Sequence, residues 1–312
     1  MEEDDRNGSN NPLFHVSGTP EYEISGYSSY DEELYNSPSS SEDEIDYDFI
    51  NACKHNLIDT LKDLLQGYDI DINWTDSDGW SGLMWAADNG HYHIVKILLH
   101  NNININLQNK LGYTAFHYAC YHKYIDILQL LIDHNCDINI ASSQGLTGLM
   151  CACSTNQLNN VLLLLRCDAD INALTVRGWN CFTYAFNDGH LNIMKLLIQC
   201  NINLEQADNF NRTPFINACS ENYIEIIKLL IDKGCNINHK DDNGNDGLSL
   251  LHHDNRVQII DYINKYNVKM KHFYLLKNML TSSRKILTDD TIDTIDTRLL
   301  NDGILLCIAS YI

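Results

Sequence analysis

The stretch Thr213-Pro214-Phe215-Ile216-Asn217-Ala218-Cys219, with the apolar run Ile226-Ile227-Lys228-Leu229-Leu230-Ile231 behind it, returns along the chain at a fixed interval. An Ile-Asn pair closes the segment at Ile237-Asn238, and matching pairs stand at Ile171-Asn172, Ile138-Asn139, Ile105-Asn106 and Ile72-Asn73. Neighbouring pairs from 72 to 171 differ by 33 residues, and Leu204-Glu205 fills the one missing step before 237. The same step connects Gly79, Gly112, Gly145 and Gly178, then Asn211 and Gly244, and separately Ala86, Ala119, Ala152, Ala185 and Ala218. A period of this length marks a stacked solenoid, because no single unit of that size buries its apolar face without neighbours.

Each unit follows one grammar. An Asp, Asn, Ser or Thr opens it (Asp76, Asn109, Ser142, Thr175, Asp208, Asp241), a side chain able to bond nearby backbone N–H groups and set a turn. Three residues later comes Gly, or Asn once, the residue type that accepts a positive φ. A short helix carrying the small Ala follows, then a second helix with an apolar face such as Ile94-Val95 with Ile97-Leu98-Leu99. The pattern predicts an array over 43–268: a first unit of atypical front, then units at 74–106, 107–139, 140–172, 173–205, 206–238 and 239–268.

These residues resemble the ankyrin repeat family, whose Thr-Pro-Leu-His-x-Ala signature is echoed in Thr114-Ala115-Phe116-His117-Tyr118-Ala119, Thr147-Gly148-Leu149-Met150-Cys151-Ala152 and Thr213-Pro214-Phe215-Ile216-Asn217-Ala218. Gly90-His91 and Gly189-His190 match the family's turn between helices. The resemblance implies an all-α solenoid of six to seven units and a non-catalytic protein-interaction module. Asn180-Cys181-Phe182-Thr183 and Asp246-Gly247-Leu248-Ser249 are degenerate, and Leu251 replaces the Ala, so the last unit is expected to cap the stack. In its Asn and Ile bias the chain is similar to ankyrin proteins of large DNA viruses.

The formal net charge is −21, which opposes binding to nucleic acid or to anionic membranes. Much of the acidity lies near the N-terminus, where residues 1–42 are too poor in apolar groups to offset chain entropy and read as a disordered acidic tail. Ser37-Pro38-Ser39-Ser40-Ser41-Glu42-Asp43-Glu44 resembles an acid-directed phosphorylation run, though a solvated spacer explains it as well. The 11 cysteines are scattered, with no apolar signal segment before the array, which predicts reduced thiols in a cytosolic or nuclear protein.

Residues 269–312 read as a helical cap or tail, with Phe273-Tyr274-Leu275-Leu276 in one helix and Ile304-Leu305-Leu306-Cys307 in another. Leu300-Asn301-Asp302 and Ile304 resemble an F-box loosely, which would make the protein an adaptor with ubiquitin-ligase components as partners. The motif's usual Pro is absent, and capping of the exposed stack end is the favoured reading, since such ends need caps in any case.

No catalytic constellation emerges: there is no glycine-rich phosphate loop, nucleophile elbow or His-Glu-x-x-His pair. His91-Tyr92-His93 and His252-His253 lack a zinc pattern, and the Cys151-Ala152-Cys153 spacing points the thiols apart on a helix. The sequence therefore implies no enzyme, cofactor or metal.

Two rows of the register offer a binding surface instead. One residue after the turn Gly stand Trp80, Tyr113, Leu146 and Trp179, expected near the turn tips, and five further on stand Trp85, Tyr118, Cys151 and Tyr184, expected on the concave side. Packing between adjacent turns is the competing role for these aromatics. Large rings supply contact area at little entropic cost. With Tyr121 and Arg177 they form the expected partner-binding set, rimmed by Asp78, Asp88, Lys110 and His122. Its acidic surround suits a basic or amphipathic partner segment.

Overall fold

In a computed structural model, residues 41–284 are described. Helices come in antiparallel pairs: α1 (Ser41–Lys54) with α2 (Ile58–Gly67), α3 (Gly82–Asp88) with α4 (Tyr92–Leu99), and α5 (Ala115–Tyr121) with α6 (Ile125–Asp133). The pairs continue as α7 (Gly148–Ser154) with α8 (Leu158–Arg166), α9 (Cys181–Asn187) with α10 (Leu191–Gln199), and α11 (Pro214–Ser220) with α12 (Ile224–Asp232). A four-residue α13 (Gly247–Leu250) follows, and then the long α14 (His253–Arg284). First helices stack on first helices and second on second, and the described residues contain isolated β-bridges but no extended strand.

The turn grammar holds in atomic detail. Asp76 Oδ1 accepts from the N–H groups of Asp78 at 3.0 Å and Trp80 at 2.9 Å, and Asn109, Asp208 and Asp241 repeat this pair of bonds with their own Oδ1. Ser142 makes both bonds through Oγ, at 3.3 and 3.2 Å. Gly79 lies at φ +81° and Gly145 at +79°, whereas Asn211 takes φ 57°, so the six turns share one left-handed position. The opener's own N–H donates to the carbonyl four residues ahead, as from Asp76 to Trp80 and Asn109 to Tyr113, which closes each hairpin.

Each first helix from α3 onward begins at a polar cap. Ser81 Oγ accepts from Met84 N–H at 3.3 Å, Asn180 Oδ1 from Thr183 N–H at 3.0 Å, and Asp246 Oδ1 from Ser249 N–H at 2.8 Å. Ala86, Ala119, Ala152, Ala185 and Ala218 are fully buried where these helices meet, since a larger side chain there would push the stack apart. The second helices contribute triplets such as Ile94-Val95-Leu98 and Ile127-Leu128-Leu131, all buried. Each such side chain stabilises by about 1.5–3 kcal/mol.

Two compact units are present, one running through His252 and one beginning at His253. The boundary expected at 268 falls inside α14, because no Gly, Pro or capping residue interrupts the helix there, and the Phe273–Leu276 stretch continues it. Apart from Ser41 and Glu42, the first residues of α1, the acidic head lies outside the described residues, as do Leu300, Asn301, Asp302 and Ile304 of the F-box-like segment. No helix among the described residues is long and apolar enough to cross a membrane.

Candidate protein-interaction surface

The aromatic rows fold largely inward. Trp80 is 4% exposed, Tyr113 2% and Trp179 5%, so these three do not stand on the turn tips. The physical reason is the hairpin register: the residue after the Gly carries the carbonyl that pairs with the opener and has already turned back toward the helix. Tyr118 and Tyr184 are buried too, while Trp85 and Tyr121 remain half-buried and Arg177 is exposed.

What the buried rings form is a continuous stack across units. Trp85 lies on Trp80 with ring centroids 4.4 Å apart, and Trp80 lies 4.4 Å from Tyr118. The polar ends of Trp85 and Tyr118 each find the opener of their own unit. Trp85 Nε1–H donates to Asp76 Oδ2 at 3.0 Å, and Asn109 Nδ2–H donates to the Tyr118 hydroxyl at 3.0 Å. Burial, then the Asp88 charge, pushes the Tyr118 phenol far above its ordinary value. Lys54 Nζ sits 4.4 Å over the Trp85 ring and closes the stack at its first unit. In the fourth full unit Trp179 and Tyr184 meet edge to face at 5.7 Å, with the Arg177 guanidinium 5.7 Å from the Trp179 ring.

The tips are the two residues between opener and Gly: Ser77-Asp78, Lys110-Leu111, Ser143-Gln144, Val176-Arg177, Asn209-Phe210 and Asp242-Asn243, all exposed. Their backbones are tied at four of the five junctions between units, the exception being that between Arg177 and Asn209. Lys110 N–H donates to Asp78 O, Ser143 to Leu111 O, Val176 to Gln144 O and Asp242 to Phe210 O, at 2.9–3.2 Å. Apolar side chains stand on this rigid row, with Val176 65% exposed, Phe210 51% and Leu111 40%. The Arg212 guanidinium lies 4.9 Å from the Phe210 ring, and its Nε and Nη2 both reach Asp208 Oδ2. The exposed apolar tips are visible in the sequence only once the opener and the Gly are fixed as the ends of each tip.

At the C-terminal ends of the first helices, His122 Nε2 and Asp88 Oδ1 pair at 2.9 Å across two units. His91 and His190 serve the turns: their Nε2–H groups donate at 2.9 Å to the carbonyls of Lys54 and Ser154 in the preceding unit. Burial drives the Cys53, Cys120, Cys151, Cys153 and Cys219 thiols far above their usual range, so these are unreactive packing residues. Among the described residues no group of three or more His, Cys, Asp and Glu side chains is placed to hold a metal.

Stacked turn-helix-helix units with a hydrogen-bonded row of tips define a protein–protein interaction module. The family model for ankyrin repeats (3 copies) matches residues 49–142, 104–175 and 149–241, and the chain belongs to the ankyrin repeat family. Among solved structures it is similar to the crystal structure of the ankyrin repeat domain of Bcl-3, described as a unique member of the IkappaB protein family. The TM-score is 0.62 at 20% identity, covering 69% of this chain and 97% of that one. Curated relatives include acyl-CoA-binding domain-containing protein 6 of Rattus norvegicus, 38% identical over 56 residues, and of Bos taurus, 36% identical over 56 residues. Each match covers 18% of this chain and 20% of the relative's length, so the chain spans about a fifth of those proteins.

Proposed function

We propose that the array captures a partner protein across the row of turn tips, without catalysing a reaction on it. The observation that carries this reading is the set of apolar tip side chains, Leu111, Val176 and Phe210, held exposed on backbone that consecutive units tie together. Exposed apolar groups on rigid scaffolds lose little entropy on binding and dominate interface energetics. Trp85 and Tyr121, half-buried on the adjoining first helices, extend the contact surface, and Lys110 and Arg177 supply polar bonds at its rim.

A net charge of −21 favours an amphipathic partner segment whose polar side is basic, because complementary charge accelerates encounter and rejects acidic competitors. An intracellular location is part of this reading: the ten described cysteines are all free thiols. Replacing Leu111, Val176 and Phe210 together by Ser tests the surface. Loss of partner capture from a cell extract with an unchanged melting temperature supports the tips as the contact. Retained capture places the contact elsewhere.

A further inference from the structure

A second surface lies among the second helices, apart from the tips. The groove between α2 and α4 encloses about 570 Å³ and is lined by Ile58, Lys62, His93, Lys96, Ile97, His100 and Asn101. Its floor is aliphatic and its rim carries two lysines and two imidazoles. Asp59 stands 3.8 Å from Lys62, but both side chains are well exposed and such a pair is worth little. His100 Nδ1–H donates to Lys96 O at 2.7 Å, which leaves Nε2 available as a further polar contact. A cationic groove on a chain of net charge −21 is an exception that asks for an anionic occupant.

The chain itself supplies one. Residues 1–42 hold ten acidic side chains and one basic residue, Arg6. Within them Tyr30-Asp31-Glu32-Glu33-Leu34-Tyr35 sets three consecutive carboxylates between an aromatic residue and a Leu-Tyr pair. An acidic centre with apolar ends matches a groove with an apolar floor and a cationic rim. Residues 36–40 join the segment to α1 and span up to about 17 Å when extended. Helix α1 packs against α2, one wall of the groove. Tethering of this kind gives an effective concentration on the order of millimolar, so even a weak contact is populated.

We infer that Tyr30–Tyr35 docks in cis into the α2–α4 groove, its carboxylates on Lys62 and Lys96 and its Tyr and Leu side chains on Ile58 and Ile97. Docked there, the acidic segment no longer competes with the array for a basic partner segment.

The test uses the dilute full chain, a zero-length carbodiimide cross-linker and peptide mass spectrometry. Lys195 and Glu225, paired across units, provide the internal positive reference. The proposal expects Lys62 and Lys96 joined to Asp31, Glu32 or Glu33, independent of protein concentration and suppressed by about 0.5 M salt. Amide exchange at residues 30–35 should be slowed in the wild type, restored to the free-peptide rate in Lys62→Glu/Lys96→Glu, and slowed again when Asp31, Glu32 and Glu33 are also changed to Lys. A Lys195–Glu225 cross-link without any head-to-groove cross-link overturns the proposal. So do cross-links that grow with concentration, which would assign the groove to the head of a second copy.

Discussion

The side-chain oxygen of Asn139 accepts the backbone N–H of Asp170, in the next unit, at 2.8 Å. The same bond recurs from Asn104 N–H to Asn73, Asp137 to Asn106, Asn203 to Asn172 and Asn236 to Glu205, at 2.7–2.9 Å. Within each unit the accepting residue's own N–H donates to the side chain two positions earlier, as Asn139 does to Asp137 Oδ1 at 3.0 Å. The Ile-Asn pairs that reveal the period are thus the rungs of a hydrogen-bond ladder along the array. Glu205 substitutes for Asn because the ladder needs only an acceptor of suitable reach.

Removing one rung should weaken the coupling between two units. Asn139→Ala is expected to lower the unfolding free energy by about 1 kcal/mol, the net value of one such bond. Asn139→Asp, which keeps the acceptor, should have a smaller effect. Urea unfolding followed by circular dichroism checks both, and equal losses in the two variants would remove the ladder's energetic role.

Asn160 occupies a register that is otherwise aliphatic and buried in the full units with two complete helices: Ile94, Ile127, Ile193 and Ile226. In the other units the first-helix Ala carbonyl accepts from the turn, as Ala86 O does from His91 N–H at 2.8 Å and Ala152 O from Gln157 N–H at 3.0 Å. Where those turns place Asn56, Gly90, Asn156, Gly189 or Asn222 at positive φ, the third unit has Lys123, which does not adopt it. Asn160 Nδ2–H fills the gap, donating to Ala119 O at 3.4 Å and His122 O at 3.0 Å. Asn160→Ile should therefore destabilise by about 1–3 kcal/mol through buried unpaired carbonyls. In a Lys123→Gly background, which permits the ordinary turn, the loss should shrink, and a double-mutant cycle measures the coupling. Additive effects would separate the two exceptions.

The periodic elements were legible because each follows from a local rule. Gly145 needs a positive φ, Ser142 bonds its own turn, and Ala152 is small where helices touch. The aromatic rows are not legible in this way, because Trp80 and Tyr113 are amphipathic and a sequence does not say which end of such a side chain is wet. Hairpin register decides it, through the bond that joins the opener to the residue after the Gly. Asn160 was legible in principle, as a polar residue in an aliphatic register. Its reason was not, since it depends on what the chain does at Lys123. The C-terminal limit of the array is not legible in the sequence, because α14 runs on through 268 without a stop signal.

Gly148 starts α7 in a first-helix register shared with Gly82, Ala115, Cys181 and Pro214. Replacing a helical Gly by Ala ordinarily stabilises by about 0.5–1 kcal/mol. Here a Cβ would lie 2.5 Å from Phe116 Cε1 and 2.7 Å from Cys120 Sγ, both in buried side chains of the unit below. The clash outweighs the entropy gain, and Gly148→Ala is expected to lose about 1–3 kcal/mol. A higher melting temperature would show that the Phe116 ring has room to yield.

His117 links pH to the stability of the stack. Its Nδ1 accepts from Thr114 N–H at 3.1 Å, so Nε2 carries the proton and donates to Leu146 O of the next unit at 3.0 Å. Burial lowers its pKa from 6.5 to about 4, against the opposing pull of the Leu146 carbonyl. Above pH 6.5 the ring is neutral in both folded and unfolded chains and contributes no slope. As pH falls from 6.5 toward 4, the unfolded chain takes up a proton that the folded one refuses, and stability declines. The shift corresponds to about 3 kcal/mol across that window. The measurement is a difference between two proteins. His117→Leu should be less stable than wild type at neutral pH, since Leu146 O loses its donor. Below pH 6.5 its stability should fall less steeply, so the gap between the two proteins narrows on acidification. A constant gap from pH 7 to pH 4 would mean that His117 is not kept neutral by its place in the stack.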